Sequence, residues 1–163
     1  MRSDRRTDAG EAGSPGVGAH PGPAAAPGGL LRIVVPDASA LLEYLLGTVS
    51  AGRVRDTVRV PNVDLHVPSL CDVEIVSGLR GAMIRRALTE VRAVEALADY
   101  LDLPLTRHGH ASLVRRVLEL RANFSAYDAT YIALAEGVYG ELLTADDRLA
   151  RAVEAHTDVP LVR

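Results

Sequence analysis

Short apolar runs alternate with helical stretches from residue 30 to the C terminus. The first run, residues 30–35, has the almost unbroken apolar character of a strand buried on both faces of a parallel sheet. Pro36 ends this strand because proline cannot donate a hydrogen bond to the strand ladder. Three shorter runs predict strands at 64–67, 103–106 and 142–144, and a further run is the candidate for a final strand at 159–162.

Stretches with helical periodicity separate these runs. Ser39 is predicted as the N-cap of a helix over 40–46, and Pro68 as a first-turn residue of a helix over 69–86. Further helices are predicted at 49–60, 89–101, 110–121, 126–137 and 146–153. The alternation of strands and helices predicts an α/β fold, in which helices flank a central parallel sheet of four to five strands in three layers.

Residues 1–29 differ in composition from the rest of the chain. They contain seven Gly and four Pro and almost no large apolar side chain, so they cannot bury enough surface to offset the entropy lost on ordering. We expect a disordered tail here, or an artefact of a start codon assigned too far upstream. The remaining residues, 30–163, are sufficient for a single folded domain.

Composition narrows the class of protein further. The formal net charge is −3, which does not favour holding nucleic acid through bulk positive charge. Cys71 is the only cysteine, so no intrachain disulfide can form and a reducing compartment is expected. No apolar run approaches the ~18 residues of a membrane span, and the N terminus lacks the apolar region of a secretory signal. We therefore expect a cytoplasmic protein without a membrane span.

Four acidic residues fall where ligands bind in parallel α/β sheets. Asp37 follows the first strand and Asp146 follows the strand at 142–144, and the crevice outside the carboxyl ends of such strands is the usual ligand site. Glu74 lies at the margin of the apolar face of its helix, and Asp128 lies in the first turn of its own helix. The pattern predicts that the four carboxylates share one pocket.

Such a pocket needs a cation, because clustered carboxylates raise one another's pKa values unless a positive charge lies between them. Oxygen ligands favour a hard ion, so Mg²⁺ is predicted, with Mn²⁺ as a possible substitute. Taken singly, an Asp after a strand is more often a helix cap or turn residue than a ligand. Asp128 alone fits a capping pair with Ser125, and Glu74 alone fits a solvated helical position.

Four sequence blocks carry a resemblance to a known family. They are VVPDASALL at 34–42, VPSL leading to Glu74 at 67–74, YDATYIALA at 127–135 and LTADDRL at 143–149. In this order they resemble the PIN-domain ribonucleases, and most closely the VapC toxins of bacterial type II toxin-antitoxin pairs. The resemblance covers essentially all of residues 30–163.

This resemblance implies a PIN-like fold and an Mg²⁺-dependent endoribonuclease, in which water attacks the scissile phosphorus in line and the ribose 3′-oxygen leaves. It assigns catalysis and metal binding to Asp37, Glu74, Asp128 and Asp146. Ser39 and Thr144 match hydroxyl positions that would orient the carboxylates or waters, and Asn123 is a further candidate near the site. The implied partners are an RNA substrate, a cognate antitoxin that blocks the acidic cleft, often with an Arg, and a second copy of the chain.

Two other functions remain open from the sequence alone. A PIN-like fold could serve as a catalytically silent binding module. Asp37 could also be the nucleophile of a phosphatase or phosphotransfer protein, but many such enzymes place a Lys near the phosphate and this chain contains no Lys. Metal-dependent cleavage of RNA would separate the nuclease from both alternatives.

Overall fold

A parallel sheet organises the computed structural model of the protein, which describes residues 31–48 and 51–162. Its strands within these ranges are β1 Arg32–Pro36, β2 Val63–Pro68, β3 Leu105–His108 and β4 Glu141–Leu143. Their order across the sheet is β3-β2-β1-β4, and every neighbouring pair is parallel. The first and last strands are therefore adjacent, so the residues that follow β1 and β4 meet at one end of the sheet. The predicted tail at 1–29 lies outside the described residues.

Helices connect and cover the strands. The α-helices in the described ranges are α1 Ala38–Leu46, α2 Ala51–Val58, α3 Leu70–Ile84, α4 Glu90–Leu101, α5 Val114–Glu119, α6 Ala126–Val138 and α7 Asp147–His156, and a short 3₁₀ turn spans Leu120–Ala122. Among them, none is both long and apolar enough to cross a bilayer. Helix α6 packs against the sheet so closely that its residues 129–135 are all buried.

Buried side chains cover both faces of the sheet. Val35 and Leu142 belong to the larger core cluster, which contains most of the buried residues of α3, α4 and α6. Val34 and Leu143, which alternate with them along β1 and β4, belong to a second cluster with Val54 of α2. A sheet that is apolar on both faces must be covered on both, and the structure confirms the predicted three-layer α/β fold.

The predicted start of the first helix is wrong by two residues. Helix α1 begins at Ala38, and its N-cap is Asp37 rather than Ser39. The Asp37 carboxylate accepts a hydrogen bond from the backbone N–H of Ala40 at 2.8 Å, which satisfies one of the free amides of the first turn. Pro68 also differs from its prediction, because it ends β2 and α3 begins only at Leu70.

Several other boundaries also differ from the sequence prediction, three of them for a reason visible in the structure. A tight turn, closed by a 2.8 Å hydrogen bond from the N–H of Leu105 to the carbonyl of Leu103, delays the third strand to Leu105–His108. The helix predicted at 110–121 is divided between a turn, α5 and the 3₁₀ turn. The candidate fifth strand at 159–162 is an isolated parallel bridge between Leu142 and Leu161. The predicted helix start at residue 49 lies outside the described residues.

Candidate active site

Asp37 is held at the end of β1 with almost no freedom. Its side chain is 5% exposed, and its backbone N–H donates to the carbonyl of Leu143 in β4 at 2.9 Å. Oδ1 accepts hydrogen bonds from the Ser39 hydroxyl at 2.7 Å and the Ala40 amide at 2.8 Å. Oδ2 accepts one from the Thr144 hydroxyl at 2.6 Å. Three donors thus fix the orientation of one buried carboxylate.

The two hydroxyl residues link Asp37 to the loop after β4. The Thr144 hydroxyl accepts a hydrogen bond from the backbone N–H of Asp146 at 3.0 Å, and the Ser39 hydroxyl accepts one from the N–H of Ala145 at 3.1 Å. The two hydroxyl oxygens are 3.4 Å apart. Ser39 and Thr144 therefore bridge the carboxyl ends of β1 and β4, which Asp37 and Asp146 follow.

Asp146 and Asp128 each take part in capping a helix. Asp146 is the N-cap of α7, and Asp128 lies in the first turn of α6. Oδ1 of Asp146 accepts hydrogen bonds from the first backbone amides of α7, at 2.7 and 3.2 Å. Asp128 forms a reciprocal pair with Ser125, the N-cap of α6. Its N–H donates to the Ser125 hydroxyl at 3.1 Å, and that hydroxyl donates to Oδ2 of Asp128 at 2.8 Å. The capping roles considered from the sequence are therefore present at both acids.

Glu74 is half-buried in the first half of α3 and contacts a residue that the sequence reasoning missed. Its Oε2 accepts a hydrogen bond from the phenol of Tyr131 at 2.6 Å. Tyr131 is three residues after Asp128 on α6, a spacing that places both side chains on the same helical face. That spacing is the one signal in the sequence that could have drawn attention to Tyr131.

Each of the four acids interacts electrostatically with at least one other. Burial raises the pKa of Asp37, the hydrogen bonds from Thr144, Ala40 and Ser39 lower it in part, and the nearby carboxylate of Asp146 raises it further. Burial also raises the pKa of Glu74, the Tyr131 hydrogen bond lowers it in part, and the charges of Asp37 and Asp128 raise it. The fold thus brings each predicted acid within electrostatic reach of at least one other.

Positive charge is scarce around these carboxylates. Across residues 31–48 and 51–162, Asp37, Glu74 and Asp128 form no ion pair, and Asp146 has only the guanidinium of Arg148 at 3.9 Å. A buried charge without a partner is costly, so the pocket has the electrostatic character of a cation site.

The donor set suits a hydrated hard cation. In the part of the chain that the structure describes, no three Asp, Glu, His or Cys side chains are arranged so that they could hold one ion together. The reason is visible in the contacts, since each carboxylate is turned toward its own hydrogen-bond donor. Mg²⁺ usually keeps several waters and takes only one or two protein carboxylates, so these oxygens fit such an ion. Direct ligation by all four acids stays a prediction.

Two other polar residues form no hydrogen bond with the four acids among the described residues. Asn123 ends the 3₁₀ turn with an exposed side chain, which forms no hydrogen bond with the described residues. Its predicted role near the site has no contact in the structure to support it. Asp72, on α3, accepts hydrogen bonds from Tyr100 at 2.6 Å and from Arg107 at 2.9 Å, which makes it a separate polar cluster.

Comparison with known sequences identifies relatives over most of the chain. The family model described as "PIN domain" matches residues 34–155. VapC ribonuclease Mb0985 of Mycobacterium bovis is 41% identical over 130 residues, covering 80% of this chain and 98% of that protein. Ribonuclease VapC12 of Mycobacterium tuberculosis is 32% identical over 130 residues, covering 80% of this chain and 99% of its own length.

Solved structures share the fold at lower sequence identity. PAE2754 from Pyrobaculum aerophilum matches with a TM-score of 0.58 and 19% identity, over 80% of this chain and 83% of that one. VapC20 of Mycobacterium tuberculosis, described as a sarcin-ricin loop cleaving toxin, matches with a TM-score of 0.56 and 17% identity, over 73% of this chain and 94% of that one. With the acidic site at the carboxyl ends of β1 and β4 and these relatives along nearly its whole folded length, the chain belongs to the PIN-domain family, among the VapC ribonucleases.

Proposed function

We propose that this VapC-type ribonuclease hydrolyses RNA phosphodiester bonds with Mg²⁺ held in the pocket of Asp37, Glu74, Asp128 and Asp146. The observation that carries the proposal is the buried Asp37 carboxylate, fixed by three donors yet without a positive partner among the described residues. Burial by itself favours the neutral acid, so a cation bound beside this carboxylate would be stabilised by, and would stabilise, its ionised form. Mn²⁺ is expected to replace Mg²⁺, since both are bound through oxygen.

The residues of the pocket have distinct parts in this chemistry. The hydroxyls of Ser39 and Thr144 hold Asp37 in one orientation and favour its ionised form. Asp146 and Asp128 are less buried than Asp37, so they are the more accessible acids of the pocket. A bound divalent ion supplies Lewis-acid chemistry, offsetting charge on the scissile phosphate and making the attacking water more acidic.

The proposal extends to a toxin role with a protein partner. Among the sequence relatives, VapC ribonucleases match over 80% of this chain. An acidic pocket with little positive charge of its own is complementary to a guanidinium, which can bind a carboxylate through two parallel hydrogen bonds. We propose a cognate antitoxin that places an Arg there, a homodimeric toxin, and a cytoplasmic site of action.

The discriminating experiment is an RNA cleavage assay with matched acidic variants. Purified protein is incubated with structured RNA in Mg²⁺, in Mn²⁺ and in EDTA, beside Asp37→Asn and Asp147→Asn. Asp147 is the matched control because it is the exposed acid next to Asp146 and lies outside the predicted quartet. We expect cleavage only with metal, loss of cleavage in Asp37→Asn and normal cleavage in Asp147→Asn. Cleavage in EDTA, or by Asp37→Asn, contradicts the mechanism.

Growth of cells tests the toxin role separately. Expression of the chain without its partner is expected to slow growth, and Asp128→Ala is expected to relieve the effect. Equal inhibition by wild type and Asp128→Ala at equal protein levels would show that toxicity does not depend on the nuclease site. Analytical ultracentrifugation checks the proposed homodimer, which a single sedimenting species of monomer mass would contradict.

A further inference from the structure

The Glu74 carboxylate depends on a single hydrogen bond, which comes from a residue of a different helix. Asp37 has three donors, Asp146 has two backbone amides, and Asp128 has the hydroxyl of its own helix cap. Within the described residues, Glu74 has only the Tyr131 phenol, which reaches Oε2 at 2.6 Å. A glutamate also has one more rotatable bond than an aspartate. Without this contact its carboxylate would have no fixed position.

Tyr131 is well placed to supply that position. Its side chain is 3% exposed, within the run of α6 that packs into the core, so the ring cannot move independently of the helix. Helix α6 also carries Asp128, one turn before Tyr131. Helix α6 therefore provides one acid directly and contacts a second acid, on α3, through a phenol.

We infer that Tyr131 is a positioning residue of the metal pocket, which holds the Glu74 carboxylate through Oε2 and leaves Oε1 for the cation. Oε1 accepts no hydrogen bond from the described residues, so it is the oxygen with free lone pairs. The inference rests on the proposed metal-dependent function. A hydrogen bond that orients a ligand is commonly worth ~10–100-fold in metal affinity, which sets the size of the expected effect.

A second tyrosine provides a close internal control. Tyr100, on α4, is 1% exposed, and its hydroxyl donates to the Asp72 carboxylate at 2.6 Å. Asp72 lies on α3, as Glu74 does. The two phenols thus share burial, bond length and a carboxylate acceptor on α3. They differ in that Tyr131 contacts a predicted metal ligand, whereas the acceptor of Tyr100 also receives a hydrogen bond from Arg107.

The test is calorimetric titration of Mn²⁺ into metal-free wild type, Tyr131→Phe and Tyr100→Phe, in the cold, where each variant is shown to be folded by circular dichroism. We expect Tyr131→Phe to weaken Mn²⁺ binding by at least ~10-fold and Tyr100→Phe to leave it within about twofold of wild type. The rise in thermal midpoint on adding Mn²⁺ is a second readout, which works even for a destabilised variant. Unchanged affinity in Tyr131→Phe, or an equal loss in Tyr100→Phe, overturns the inference.

A double-mutant cycle separates positioning from general stabilisation. In a Glu74→Gln background, Tyr131→Phe is expected to produce no further loss of Mn²⁺ affinity, because the residue that it positions is already altered. Independent, additive losses would overturn the inference. Failure of the proposed function would look different, since wild type itself would then neither bind Mn²⁺ nor cut RNA.

Discussion

Removal of the Thr144 hydroxyl is the most direct test of how the pocket is held together. Thr144→Val keeps the shape of the side chain and deletes one oxygen. That oxygen donates to Oδ2 of Asp37 at 2.6 Å and accepts from the backbone N–H of Asp146 at 3.0 Å. The substitution therefore removes one contact from each of two site acids without creating a large cavity.

The expected cost follows from the two broken contacts. A hydrogen bond to a charged group contributes about 1.5–3 kcal/mol, and an unsatisfied buried amide costs about 1–3 kcal/mol. Thr144 and Asp146 are half-buried, so water can replace part of the lost bonding. We expect the free energy of unfolding of the metal-free protein to fall by about 2–4 kcal/mol. The pKa of Asp37 should rise further, because Thr144 favours its ionised form.

Urea denaturation and Mn²⁺ titration measure both effects. Metal ligands must be deprotonated, so the affinity of Thr144→Val should fall more steeply than that of wild type as the pH is lowered. Thr130→Val is the matched control, because within the described part of the chain the buried Thr130 hydroxyl bonds only to the carbonyl of Ala126 in its own helix. We expect a loss below about 1 kcal/mol and normal metal affinity there. If both variants behave alike, Thr144 has no special role in the pocket.

Three further predictions concern other parts of the fold. Ser125→Ala should lower the free energy of unfolding by about 1 kcal/mol and weaken metal binding modestly, because it removes the N-cap of α6 and the donor to Asp128. Burial and the neighbouring His66 ring lower the pKa of His108, so its contribution to stability should be present above pH ~6.5 and decrease as the pH falls through its folded pKa. Gly140→Ala should cost about 1–3 kcal/mol, since an added Cβ would lie 2.9 Å from an isoleucine methyl and 3.1 Å from a backbone carbonyl of β1.

Each of these predictions has its own control. For the helix cap, Ser125→Thr should keep the stability and the metal affinity of wild type. A Thr variant that loses as much of either as Ser125→Ala would contradict the capping explanation. For His108, the difference in stability between wild type and His108→Gln should shrink from pH 7 to pH 5, and a constant difference would contradict it. For Gly140, the control is Gly52→Ala in α2, where nothing lies within 4 Å of the added Cβ. Equal losses at the two glycines would exclude overpacking as the cause.

The fold was predictable because its strands are short, apolar and separated by clear helical stretches. The predicted boundaries that proved wrong were those set by contacts distant in sequence or by local turns. Pro68 stays in β2 because the next amide, of Ser69, donates to the carbonyl of His108 in the neighbouring edge strand. No sequence window contains that pairing. The delayed start of β3 likewise depends on a turn at Leu103 that apolar periodicity does not reveal.

Sequence reasoning reached the proximity of the four acids but not the direction of each carboxylate. Strand ends and helix faces indicated which acids would be neighbours, and the fold brings them within electrostatic reach of one another. The direction of each carboxylate depends on its donor, and those donors come from different elements. Tyr131 of α6 binding Glu74 of α3, across 57 positions of sequence, could be found only after the two helices were placed together.

A common electrostatic cause connects the metal with the proposed antitoxin. Because the pKa values of Asp37 and Glu74 are raised in the folded protein, the metal-free fold binds protons more readily than the unfolded chain and loses stability as the pH rises from about 4 through these raised pKa values. A divalent ion and a guanidinium would both relieve this cost, and both would do so at the same carboxylates. Their binding should therefore be competitive, so that an Arg-containing antitoxin peptide lowers the apparent affinity for Mn²⁺ in proportion to its own occupancy. Additive binding of peptide and metal would place the antitoxin Arg outside the pocket.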